Sequence, residues 1–164
     1  MPISRHRILS VALVVSVSLL VPSIASADVT AFFGFNPTPS VRSTRGFAVG
    51  AGLVIVGFEF EYASTSEDVL EPAPSLKTFM FNGLLQTPIP IARMQFYGTA
   101  GAGGYRETLV NDSETNFGIN VGGGVKVGLV GPLRLRVDYR VFTLEGNPRH
   151  AKPQRFYAGI NLKF

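Results

Sequence analysis

The sequence predicts an all-β fold: an eight-stranded antiparallel up-and-down transmembrane β-barrel over residues 28–164, behind a cleaved signal peptide over residues 1–27. Three observations carry this. At the amino terminus Arg5, His6 and Arg7 precede an apolar run over residues 8–21. Pro22 and the small residues Ala25, Ser26 and Ala27 follow, with Ala25 and Ala27 marking the cleavage. Beyond the leader the prolines fall in clusters, at Pro37 and Pro39, Pro72 and Pro74, Pro88 and Pro90, Pro132, then Pro148 and Pro153. Proline cannot donate to a β-ladder, so the clusters mark chain reversals. A polar stretch at 109–115 and an apolar reversal at 53–55 complete the division into eight segments. Within the segments, polar and apolar residues alternate with period two.

The first segment carries Phe32, Phe33 and Phe35. In the second, Phe47, Val49 and Ala51 oppose Gly46, Ala48 and Gly50, a contrast of size more than of polarity. The third sets Val56, Phe58, Phe60 and Tyr62 against Glu59 and Glu61, and the fourth sets Phe79, Phe81 and Leu85 against Asn82 and Gln86. The fifth, residues 94–107, has glycine and alanine on both faces, and alternation does not orient it. In the sixth, Phe117, Ile119, Val121, Val125 and Val127 oppose Asn116, Asn120, Lys126 and glycines. The seventh puts Leu133, Leu135, Val137, Tyr139 and Val141 against Arg134, Arg136, Asp138 and Arg140. In the eighth, Phe156, Ala158, Ile160, Leu162 and Phe164 face away from Arg155, Tyr157, Gly159, Asn161 and Lys163.

A soluble barrel and a membrane barrel are inside-out versions of this pattern. Charged residues are 16% of the chain, against about 25% in soluble domains. The apolar faces run for about nine to eleven residues, the length a tilted strand needs to cross a bilayer. The connections are read as alternating long and polar (37–44, 64–74, 108–115, 145–153) with short (53–55, 87–92, 129–132), as in a barrel threaded with both termini on one side. Beyond the leader no charge-free apolar stretch reaches the roughly 18 residues of a spanning helix. The absence of cysteine excludes a disulfide scaffold and a lipid anchor at Asp28. Tryptophan is absent as well, leaving Phe32, Phe33, Phe35, Tyr105, Tyr139, Phe156 and Phe164 as candidates for an interfacial belt.

The ending YAGINLKF, with Tyr157, Gly159, Leu162 and Phe164 at the offsets of a terminal insertion signal, resembles the small eight-stranded outer-membrane barrels of the OmpA and OmpX type. That resemblance implies residence in the bacterial outer membrane as a monomer. It also implies recognition by the barrel-assembly machinery and contact with outer-membrane lipid and lipopolysaccharide. Nucleic acid is not an expected partner, since the formal net charge of +4 falls further when Arg5 and Arg7 leave with the leader.

The most chemical-looking set is the one expected in the lumen: Glu59, Glu61, Lys126, Arg134, Arg136, Asp138 and Arg140. Buried charges are tolerated only when paired, so the set reads as an ion-pair plug bracing a closed barrel. The alternative is a charge-lined narrow channel for small or apolar solutes. A lipid A-modifying enzyme would need a nucleophile with an activating base. His150, alone in a polar loop beyond the leader, is a poor candidate for that role or for a metal ligand. The glycine runs at 101–104 and 122–124 open no helix and do not follow the phosphate-loop pattern. A soluble periplasmic lipocalin-like barrel would need the aromatic parity inside. The expected function is therefore non-catalytic, envelope-structural or surface-interacting, with no cofactor. Basic residues of the outer loops, Arg42, Arg45, Arg149 and Lys152, are expected on one side of the mouth, with the acidic middle loops opposite.

Overall fold

The computed structural model describes residues 26–110 and 112–164. The leader up to and including Ala25 lies outside the described residues. Eight strands follow in order: β1 Ser26–Asn36, β2 Arg42–Leu53, β3 Val56–Thr65, β4 Ser75–Gln86, β5 Met94–Leu109, β6 Asp112–Gly128, β7 Leu133–Leu144 and β8 Gln154–Lys163. Each pairs antiparallel with the next, and β1 pairs with β8, so the sheet closes on itself. Closure leaves no free edge, which a sheet in hydrocarbon requires because lipid cannot satisfy backbone N–H and C=O groups. Ala27 lies inside β1, opposite Ala51.

The strands are inclined to the barrel axis. Directly paired positions starting from Ala27 near the beginning of β1 pass through Ala51, Phe58, Gly83, Ala100, Val121 and Val141. They arrive at Gln154, at the other end of the barrel on β8. A row of paired residues therefore climbs as it circles the barrel, as strand tilt in a closed sheet demands.

Ser26 and Phe164 lie at one end, together with the connections 54–55, 87–93 and 129–132; the opposite end, called here the outer end, carries 37–41, 66–74, Val110 and 145–153. The apolar reversal after β2 is a two-residue turn, Val54 and Ile55, closed by the pair Leu53 and Val56. The long loop expected at 108–115 is not there. Its threonines and serine continue the ladder, pairing Thr108 with Ser113 and Leu109 with Asp112, so β5 and β6 are the longest strands. Residues with β-propensity on a paired edge extend the strands rather than leave them.

Inside and outside follow the alternation. Phe81 is 59% exposed on the exterior while Glu61 and Arg136 are fully buried in the lumen. Val137, Phe58, Phe60, Ile119, Val121 and Ile160 join Phe81 in a continuous exposed apolar band. Soluble monomers rarely expose a patch of that kind; in a bilayer it is the face that meets lipid. A lipocalin-like barrel would have the reverse orientation. In β5, which alternation left unoriented, Tyr97, Thr99, Tyr105 and Glu107 face the lumen. Phe32 and Tyr105 also face inward and take no part in an interfacial belt. Phe32 stacks on Tyr157 with ring centroids 4.0 Å apart, in space that a Cβ at Gly159 would close, since it would lie 2.7 Å from Phe32 Cβ.

Candidate functional site: the lumen

In a closed ring of eight, β3 and β7 are diametrically opposed, so their inward side chains meet across the axis. Glu59 and Glu61 project from β3, and Arg136, Asp138 and Arg140 from β7. Arg136 bonds both Glu59 oxygens and Asp138 Oδ2, the last at 3.1 Å. Arg140 donates to Glu59 Oε1 at 2.9 Å and to Asp138 Oδ1 at 2.9 Å, and its Nη2 lies 3.1 Å from Glu61 Oε2. Arg155 of β8 completes the cluster by donating to Glu61. Three guanidiniums thus meet three carboxylates, and the charges balance.

Two tyrosines knit the cluster together. The Tyr97 hydroxyl donates to Asp138 and accepts from Arg136 Nε at 2.7 Å, and the Tyr157 hydroxyl donates to Glu61 Oε2 at 3.3 Å. Space for these large groups comes from their neighbours on adjacent strands. A Cβ at Gly122 would lie 2.8 Å from Arg140 Cγ, and one at Gly124 2.5 Å from the Tyr97 hydroxyl oxygen. Gly122 and Gly124 therefore provide packing room for the cluster. Buried charges remain ionised only with this density of partners.

Toward the outer end the filling changes. Leu76, Met80, Tyr105, Phe142 and Leu144 form an apolar layer, with Arg155 resting its guanidinium 4.7 Å from the Phe142 ring centroid. Toward the termini a cavity of about 310 Å³ opens between Asp28, Gln86, Gln95, Lys126 and Arg134, with Glu59 among its lining residues. Lys126 is paired there with Asp28. Arg134 stands apart from the central cluster, half-buried, donating to Gln95 Oε1 at 2.9 Å.

Of the seven lumen residues named from sequence, the structure joins Glu59, Glu61, Arg136, Asp138 and Arg140 in one cluster and places Lys126 and Arg134 in the vestibule below. Sequence reasoning omitted Arg155, whose inward parity was legible in β8. It also omitted Asp28, Tyr97 and Tyr157, whose partners Lys126, Asp138 and Glu61 lie two or three strands away round the ring. In the terminal motif Tyr157 and Gly159 point into the lumen, while Leu162 and Phe164 lie on the outer parity. The Phe164 N–H donates to Ala27 O at 2.8 Å.

The basic outer residues separate. Arg42 is buried in β2 and donates to Thr38 O at 2.7 Å and to Pro74 O, pinning two loops together rather than presenting charge. Arg45 is also in β2, on the exterior. Arg149 and Lys152 are in the last loop and exposed. The expected two-sided mouth is absent: Arg149 lies 4.0 Å from Asp112, and its N–H donates to Glu107 Oε2 at 3.1 Å. Basic and acidic elements interleave because the loops fold across the opening. His150 is partly exposed in the same loop as Arg149, and its buried Nδ1 has no partner. Among the described residues no group of histidine and acidic side chains is placed to hold a metal.

No family model and no curated protein sequence matches the chain. Solved structures do. The N-terminal β-barrel domain of Pseudomonas aeruginosa OprF aligns with a TM-score of 0.65 at 16% identity, over 85% of this chain and 97% of that one. Neisserial surface protein A aligns with a TM-score of 0.65 at 15% identity, over 85% and 96%. The outer-membrane enzyme PagL aligns with a TM-score of 0.51 at 12% identity, over 82% and 98%. Closed ring, inverted polarity and these alignments agree: the chain has the fold of the small eight-stranded outer-membrane β-barrels.

Proposed function

We propose that the protein is a monomeric barrel of the bacterial outer membrane, non-catalytic, with an envelope-structural or surface-interaction role and a lumen sealed by ion pairs. The observation that supports this most directly is the balanced cluster spanning the axis from β3 to β7, in which Arg136 and Arg140 are fully buried. A pathway for ions needs continuous water, and here side chains occupy its place. The likeness to a Neisserial surface protein favours a role at the cell surface. PagL is an enzyme on the same fold, but His150 is the lone histidine in the described residues and no activating partner is bonded to it. Residues 1–27 serve as the export leader in this reading, and Tyr157, Gly159, Leu162 and Phe164 as the signal for the assembly machinery.

Fractionation of expressing cells, gel mobility with and without boiling, and planar-bilayer recording test it together. The expected result is outer-membrane recovery, a heat-dependent mobility shift and no discrete conductance steps. Steps in the purified protein would replace the sealed lumen with the narrow-channel reading. Release of fatty acid from lipid A would replace it with the enzyme.

A further inference from the structure

On the exterior, Arg45 of β2 is paired directly with Ser64 of β3, Ser64 with Lys77 of β4, and Lys77 with Arg106 of β5. The three cations are exposed, and among the described residues they form no ion pair. Lys77 and Arg106 stand directly opposite one another, about 5 Å apart at the backbone, an arrangement that like charges disfavour. Arg45 and Lys77 are two strands apart, about 10 Å.

Immediately below this line, two residues along each strand toward the termini, runs a parallel row of paired aromatics: Phe47, Tyr62 and Phe79. Their rings touch in sequence, with centroids 5.8 Å and then 4.7 Å apart. Ala31, Arg45, Phe47, Tyr62, Ser64 and Lys77 line a shallow groove between the two rows. Farther round the barrel, the outermost outward-facing residues within β7 and β8, Thr143 and Gln154, and Thr115 of β6 carry no charge, while the exposed Glu145 and Lys152 lie beyond the strand ends. The basic line is thus confined to one part of the circumference, at the upper edge of the lipid-facing band.

We propose that this face of β2–β5 binds a phosphorylated lipid of the outer leaflet. Lys77 and Arg106 share one phosphate, Arg45 takes a second, and the Phe47–Tyr62–Phe79 row packs against the start of the acyl chains. The assignment rests on the outer-membrane reading above. It answers the like-charge pair with a counter-ion and places aromatic rings at the depth where head groups give way to hydrocarbon. Arg42, Arg149 and Lys152 take no part.

The test uses the full barrel in detergent micelles, with bis-phosphorylated lipid A and its fully dephosphorylated form as probes. The wild-type protein is expected to bind the bis-phosphorylated form at least about tenfold tighter. Arg45→Gln, Lys77→Gln and Arg106→Gln are each expected to weaken that binding by about fivefold. Lys163→Gln, at the opposite end, is expected to leave it unchanged. Equal wild-type affinity for the two lipids overturns the site without reference to any variant. So does displacement of the lipid by inorganic phosphate at equal concentration, which would assign the cations to a free anion. Because these measurements are made on purified protein, a failure of outer-membrane fractionation sinks the localisation, while loss of phosphate discrimination sinks the lipid site alone.

Discussion

The charged layer between β3 and β7 and the apolar layer nearer the outer end fill the same lumen with opposite chemistry, and they respond differently to truncation. In the apolar layer Met80 and Phe142 can lose atoms and the neighbours can close in part of the way. In the charged layer each group is directional and shared. Glu61 serves Arg140, Arg155 and Tyr157 at once, so its loss orphans several partners together. The contrast teaches that occupancy of a lumen and tolerance of it are separate properties: both layers exclude water, but one is brittle.

Glu61→Ala tests the contrast most severely. It leaves two guanidiniums short of a counter-charge, and unfolding by urea in detergent is expected to show a loss of about 3–5 kcal/mol. Conductance should stay absent, because the apolar layer above is untouched; ion flow in this variant would make the charged layer the sole seal. Val137→Arg puts a cation on the outer face of β7, the strand that carries Arg136 and Asp138, midway along its lipid face. A loss of about 2–4 kcal/mol in a bilayer is expected, and an unchanged midpoint would contradict the lipid-facing assignment. Met80→Ala is expected to cost about 2–3 kcal/mol, toward the low end for a buried methionine because an unbranched side chain leaves a space that neighbours can share. The mildest case is the double substitution Asp28→Leu with Lys126→Met. This pair borders the vestibule and has no other ionic partner, so removing both is expected to change stability by less than about 1 kcal/mol. A larger loss would extend the brittle layer down to the termini.

The strands were legible because parity is a local property. Glu59 and Phe60 are neighbours in sequence and face opposite solvents, and nothing beyond β3 is needed to see it. Prolines and polar runs located the reversals, and the turn at Val54 and Ile55 was visible only as a break in register. The fifth strand was not legible, since Gly101, Ala102, Gly103 and Gly104 differ too little in polarity to choose a face; Tyr97 and Tyr105 choose it in the fold. The lumen cluster was partly legible, because inward charges announce themselves. Arg155 was seen to point inward, but its partner Glu61 lies 94 residues away in sequence. The outer basic line was hidden for the same reason. Arg45, Lys77 and Arg106 look unrelated until three registers are known, and Arg42, which looks like their companion, is turned inward by parity and tied down by backbone carbonyls.

The hydrogen bond from Asn161 to Thr30 joins residues 131 apart, and the bond from Lys126 to Asp28 spans 98. The last strand to be synthesised therefore supplies partners for the first. Until it arrives, Arg136, Arg140 and Glu59 belong to an open sheet whose polar face would meet hydrocarbon, so insertion strand by strand is penalised at every intermediate stage. Contacts of such sequence separation also make the search slow. Closure of β1 on β8 in a single late step avoids that penalty, and a chain lacking β8 would leave the β1 edge unpaired.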